Sequence, residues 1–131
     1  EGLGAGGGGL EQAIANAGIS ISRKSLFDIS VEDFRKIEDV NIHGVLFPLR
    51  EAARHMIERH KAGDGGGSLV AISSTSAIHG AARNEHYGAS KGAVVAMARA
   101  MAPKTGLTKR SSSSPSVKAR SSGVRIIMVL P

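Results

Sequence analysis

Tyr87 and Lys91 stand four residues apart, and Ser74 precedes Tyr87 by thirteen. On a helix, a spacing of four puts a phenol and an ammonium on one face. A phenol titrates near pH ~10 when unperturbed, so a neighbouring positive charge is what makes it a useful proton donor and acceptor near neutrality. Ser74 follows an apolar run, Ser68 to Ser73, of the kind a parallel sheet buries on both faces. A hydroxyl at the carboxyl end of such a strand stands where open α/β sheets bind their ligands, and it can donate to a developing oxyanion. The three together suit proton transfer to and from an oxygen. Each also has an ordinary reading: a tyrosine and a solvated lysine on a helix are common, and serines often cap strand ends and loops.

The elements needed to hold these residues can be read from apolar periodicity. Gln12 to Ala15 is a short apolar run ending at Asn16-Ala17-Gly18, a buried strand stopping at a glycine turn. Ser30 and Asp33 form a capping box that starts a helix, with Glu32 also placed to favour the positive end of its dipole. Val45, Leu49, Ala52, Ala53, Met56 and Ile57 continue an apolar stripe that ends near Gly63. Pro48 cannot donate to the carbonyl of Gly44, which predicts a kink or restart between Asn41 and Gly44. After a polar loop that holds His79 and His86, Ala89, Ala93, Met97, Ala100 and Met101 mark a helix over 87–102. Val124 to Leu130 is a β-branched strand ending at Pro131. Strand, helix, strand, helix, strand makes two βαβ units and a parallel α/β sheet. Right-handed crossovers stepping one way put both helices on one face, so the other face of an apolar sheet is expected to be bare.

The net charge of +6 comes from one stretch. Lys104, Lys109, Arg110, Lys118, Arg120 and Arg125 are followed by no acid, which leaves 11 basic against 11 acidic side chains over the first 103 residues. The Ser-rich basic segment 104–122 reads as a disordered insertion. It lacks aromatic stacking groups, which argues against a nucleic-acid function. No apolar run approaches the ~18 residues a membrane span needs, and the absence of cysteine fits a reducing, cytoplasmic setting. His55 and His60 are five apart on one helix and diverge, so no metal site is indicated. Gly2, Gly4 and Gly7 satisfy G-x-G-x-x-G but have no strand before them, so the opening reads as a linker.

The order of these motifs resembles the short-chain dehydrogenase/reductase family. Asn16-Ala17-Gly18 is similar to the core of its N-N-A-G motif, with Ala15 in place of the first asparagine. Asn41 resembles the helix asparagine, Ser74 the serine thirteen residues before the tyrosine, and Tyr87-Gly-Ala-Ser-Lys91 matches Y-x-x-x-K. Pro131 would open the P-G turn.

The resemblance implies a partial Rossmann-like, doubly wound parallel sheet, β-α-β-α-β, and hydride exchange between NAD or NADP and a small-molecule alcohol or carbonyl. It casts Asn41, Ser74, Tyr87 and Lys91 as catalytic, with Asn41 holding a water that links Lys91 to solvent. Asn16, Ala17, Gly18, Tyr87, Lys91 and Pro131 would meet the cofactor, and Ile78, His79 and Asn84 would line the substrate pocket. It also implies a homodimer or homotetramer built on the Tyr87 helix and the one before it. The family's glycine-rich T-G-x-x-x-G-x-G half has no counterpart, so residues 1–131 are expected to form one incomplete Rossmann-type domain. An inactive fragment of such an enzyme is the alternative, because nothing here would hold the pyrophosphate or separate NAD from NADP.

Overall fold

The computed structural model describes residues 9–102 and 123–131. The expected linker, Glu1 to Gly9, lies outside the described residues except for Gly9, and the expected 104–122 insertion lies wholly outside them. Three strands, β1 (Gln12–Ala15), β2 (Gly67–Ile72) and β3 (Val124–Val129), form a parallel sheet in the order β1-β2-β3. Four α-helices occupy the connections: α1 (Val31–Ile37), α2 (Gly44–Lys61), α3 (Ser76–His79) and α4 (Glu85–Met101). Among the described residues, no helix is long and apolar enough to cross a membrane.

Strand register sets the two faces. Ala13, Leu69 and Ile126 stand side by side, as do Ala15, Ala71 and Met128, and these pack with Val45, Leu49, Ala53 and Met56 of α2 and Val94 and Ala98 of α4 into one core. On the alternate positions Ile14, Val70 and Ile127 form a row, and Ile14 and Ile127 remain 60% and 45% exposed. The bare face expected from two same-handed crossovers is thus seen at the outer strands, whereas Val70 between them is buried.

α1 starts at the capping box read from the sequence. The Asp33 amide donates to Ser30 Oγ, and the Ser30 amide donates to Asp33 Oδ2. The Asp33 carboxylate is also gripped at both oxygens by the Arg23 guanidinium, at 2.9 and 2.5 Å. Those Arg23 hydrogen bonds, helped by Ser30, hold the carboxyl down from 3.8 to about 2. A depressed carboxyl contributes stability that is complete above its unfolded value and lost as pH falls through the folded one. The stability gap between wild type and Asp33→Asn should therefore be constant above 3.8 and close as pH falls toward about 2. Denaturant unfolding across that window checks this, and a gap that did not narrow would refute it.

The irregularity expected between Asn41 and Gly44 is a π-helical turn, Glu38–His43, that joins α1 to α2 without a break. Its Gly44 amide reaches the carbonyl of Asp39, five residues back. α2 itself runs on through Pro48. Two boundaries differ from the sequence reading: part of the polar loop folds as α3, and α4 begins at Glu85 rather than Tyr87. His86 therefore lies in the first turn of α4, 2% exposed against the Phe34 ring, and not in a loop. Its contact with Phe34 across helices outweighs the local polar composition that marked the segment as loop.

Candidate active site

The chain leaving β1 and the carboxyl end of β2 meet the first two turns of α4, and the carboxyl end of β3 lies beside that of β2. β1 runs into Asn16-Ala17-Gly18, β2 into Ser73 and Ser74, and β3 into Leu130 and Pro131. The Ser73 amide donates to the Val129 carbonyl, and the Thr75 amide to the Pro131 carbonyl at 3.2 Å, so Pro131 sits one residue from Ser74.

Two buried serines fix α4, one to the end of β2 and the other to the π turn. Ser73 Oγ donates to the Lys91 carbonyl at 2.7 Å, and Ser90 Oγ donates to the Tyr87 carbonyl at 2.7 Å. Ser90 in turn accepts from Asn41 Nδ2 at 3.0 Å. Gly88 lets the α3 loop approach, since a β-carbon there would lie 3.3 Å from the Ser76 carbonyl oxygen. Neither Ser73 nor Ser90 stood out in the sequence. One reads as a flank of Ser74 and the other as a filler in Y-x-x-x-K, and only the third dimension shows what each holds.

Asn41 is fully buried in the π-helical turn. Its Oδ1 accepts from the Ile19 amide at 2.8 Å and its Nδ2 donates to the Ile19 carbonyl at 2.9 Å, so the side chain acts as one more strand partner for the chain leaving Gly18. With the bond to Ser90, both amide hydrogens are spent. The side chain is a brace within the π turn. Such turns are frequent at functional sites.

Lys91 points into this cluster, 4% exposed. Its Nζ donates to the Ile72 carbonyl at 3.3 Å and lies 5.8 Å from the centre of the Tyr87 ring. Burial pushes its ammonium below the usual 10.5, and no carboxylate among the described residues offsets that. Its folded value lies below the unfolded one, so holding Lys91 charged costs stability, and the cost is relieved as pH rises toward 10.5. A charge kept at a cost beside a tyrosine marks a functional site better than a structural one. The half-buried Tyr87 presents a hydroxyl with no hydrogen-bond partner among the described residues. Ser74 Oγ accepts from the Ser76 amide at 3.2 Å, which leaves its own hydrogen to be aimed.

The sequence-picked residues thus divide. Gly18, Asn41, Tyr87 and Lys91 form one cluster, and Ser74 and Pro131 flank it on adjoining strand ends. Asn16 is exposed, and Ala17 packs against the start of α2, where a β-carbon on Gly44 would come within 3.2 Å of its own. Of the residues expected to line a substrate pocket, Ile78 is 65% exposed and Asn84 is drawn aside by a bond from its Nδ2 to Ser20 Oγ.

A family model described as short chain dehydrogenase matches residues 4–109. The chain belongs to the short-chain dehydrogenase family. A relative from Arabidopsis thaliana, short-chain dehydrogenase reductase ATA1, is 34% identical over 99 residues, which is 76% of this chain and 35% of that protein. The 3-ketoacyl-(acyl-carrier-protein) reductase of Brucella melitensis, solved with NADH, superposes with a TM-score of 0.77 at 23% identity, covering 95% of this chain and 45% of that one. ElxO with NADP bound gives 0.66 at 32% identity over 72% of this chain and 36% of its own. The fold is thus Rossmann-like, and this short-chain dehydrogenase chain spans about a third of the length of the curated relatives it matches. The matched region holds Asn16 to Gly18, Asn41, Ser74, Tyr87 and Lys91, whereas Pro131 lies beyond it.

In this chain a side chain at position 18 would crowd the site, because its β-carbon would lie a tight 3.1 Å from Lys91 Nζ and in ordinary contact, 3.9 Å, with Asn41 Oδ1. Gly18→Val should displace the ammonium and raise the Kd for reduced nicotinamide cofactor about tenfold or more, with a smaller loss of thermal stability. Calorimetric titration reads the first and a melt the second. Unchanged affinity would show that the turn is not part of the cofactor cradle.

Proposed function

We propose that this protein is an NAD(P)-dependent oxidoreductase that exchanges a hydride between the nicotinamide and a small alcohol or carbonyl compound, with Tyr87 as general acid and base. The observation that carries the reading is Lys91, a buried ammonium with no carboxylate partner among the described residues, beside a tyrosine at the carboxyl edge of a parallel sheet.

The residues present fit the nicotinamide half of such a cofactor. Lys91 Nζ has three hydrogens and the Ile72 carbonyl takes one, which leaves donors for a sugar diol. Gly18 keeps the space above it open. Lys91, Tyr87, the Asn16-Ala17-Gly18 turn and Pro131 are the groups that would hold it. When bound, the nicotinamide supplies or accepts the hydride.

The chain's own part is proton transfer at the oxygen. Ser74 Oγ donates to the substrate oxygen and fixes its place. Tyr87 gives its phenolic proton to that oxygen in the reductive direction and takes it back in the oxidative one. Lys91 stabilises the negative charge left on the phenol, which it can do without reorganisation because Ser73 holds its backbone and the Ile72 carbonyl its head. Asn41, Ser73 and Ser90 are positioning residues.

The test is a screen of aldehydes and ketones with NADH and NADPH, alongside calorimetric binding of both. Turnover of at least one carbonyl compound supports the reading. Absence of turnover together with absence of cofactor binding would favour an inactive chain that keeps the site and has lost the reaction.

A further inference from the structure

A polar cavity of about 520 Å3 opens where two loops from the candidate active site run together, lined by Ser22, Arg23, Lys24, Ala82 and Arg83. Each loop adjoins a residue already placed in that site. One leaves Gly18 and reaches Ser22 in four residues, and the other leaves Arg83 and reaches Tyr87 in four. At no more than ~3.6 Å per residue, each cavity wall lies within about 14 Å of those positions along the chain. The loops are joined by the Arg23 amide donating to the Arg83 carbonyl at 2.9 Å and by Asn84 Nδ2 donating to Ser20 Oγ at 2.5 Å.

The charge of this cavity is only partly neutralised. Three of its lining residues are cationic and none is acidic. Arg23 is committed, with its guanidinium bound to both Asp33 oxygens and to the Ser22 carbonyl. Lys24 and Arg83 meet no carboxylate among the described residues. The nearest acid in sequence, Glu85, lies outside the lining and accepts from the Arg83 amide through Oε1. Arg83 is moreover the one non-glycine among the described residues with a positive φ, at 63°. That conformation costs an arginine energy, and strain of this sort gathers at ligand sites.

We infer that this cavity is an anion subsite, in which Lys24 and Arg83 receive the carboxylate or phosphate of a substrate whose carbonyl is worked on at Tyr87. Arg23, held by Asp33, stiffens the wall between them. A lysine and an arginine facing one anion give charge-assisted hydrogen bonds, and these select a charged substrate over a neutral isostere more strongly than any apolar lining does. The substrate half of this inference rests on the reading of Tyr87 as acid and base. The anion binding does not.

Two measurements separate those halves. In the first, inorganic phosphate and then benzoate are added to the isotopically labelled chain, and backbone amide shifts are followed. Shifts centred on Ser22 to Lys24 and Ala82 to Arg83 are expected, and they should vanish in a Lys24→Gln/Arg83→Asn double variant. Asparagine is chosen because it tolerates a positive φ, so the loop bonds survive, and an unchanged melting temperature verifies that they do. In the second, 4-carboxybenzaldehyde and 4-methylbenzaldehyde are compared as substrates. The wild type should prefer the charged aldehyde by about tenfold in kcat/KM, and the double variant should bring that ratio to about one. Using the ratio cancels any general loss of activity. Localised shifts without turnover of either aldehyde would leave the anion subsite standing and sink the oxidoreductase reading. Turnover with no preference and no localised shifts would overturn the subsite and spare the reaction.

Discussion

Tyr87→Phe should lower kcat by about 10²–10⁴-fold while costing little cofactor affinity, because the ring that would meet the cofactor is kept. The phenyl ring keeps the position of the tyrosine ring, and with it the contact 5.8 Å from Lys91 Nζ. The Tyr87 backbone bond from Ser90 is untouched. What is lost is one hydroxyl, and in the structure that hydroxyl supports no other group, because it has no hydrogen-bond partner among the described residues. A tyrosine of structural use would cost stability when its oxygen is removed. This one should cost almost none. Paired measurements decide it: steady-state kinetics for the rate, and a melt together with cofactor titration for the fold. Equal rates in the two proteins would remove Tyr87 from the chemistry.

The parts of this site that depend on local chemistry were readable from the sequence. Three strands and the two long helices follow from apolar spacing, and the α1 cap follows from Ser30 and Asp33. The turn at Gly18, the pair Tyr87 and Lys91, and Ser74 at a strand end follow from residue type and order. The parts that depend on distant segments meeting were not readable. Arg23 reaches Asp33 over ten residues, Ser73 reaches Lys91 over eighteen, and Asn41 reaches Ser90 over forty-nine. The polar loop before Tyr87 misled for the same reason. Its composition favours irregular backbone, but Gly88 admits close packing of α3 on α4, and burial against Phe34 carries His86 into the helix. Pro48 pointed to an irregular helix and to its place within a few residues, yet the distortion is a π turn whose purpose lies in Asn41 and the chain beyond Gly18.

Asn41 gives the sharpest test of that long-range wiring, because it touches neither substrate nor cofactor in the proposed reaction. Asn41→Leu fills a similar volume and removes three hydrogen bonds at once, leaving the Ile19 amide and carbonyl without their partner. Ile19 is 38% exposed, so water can take up part of that loss. With about 1–3 kcal/mol for each buried polar group left unmatched, a destabilisation of about 2–4 kcal/mol is expected. The functional effect should go further than stability. The segment released from Asn41 carries Gly18 at its near end and the Ser22 to Lys24 wall at its far end, and Ser90 loses the contact that aligns it under Tyr87. Activity measured well below the melting temperature should therefore fall mainly through a higher KM for cofactor. Asn41→Asp, which keeps an acceptor for the Ile19 amide but no donor, should fall between leucine and wild type in stability. A leucine variant that is less stable yet binds cofactor as tightly as wild type would show that Asn41 braces the fold alone. A loss in both, with recovery graded by the hydrogen bonds retained, would show that the brace and the cofactor cradle are one structure.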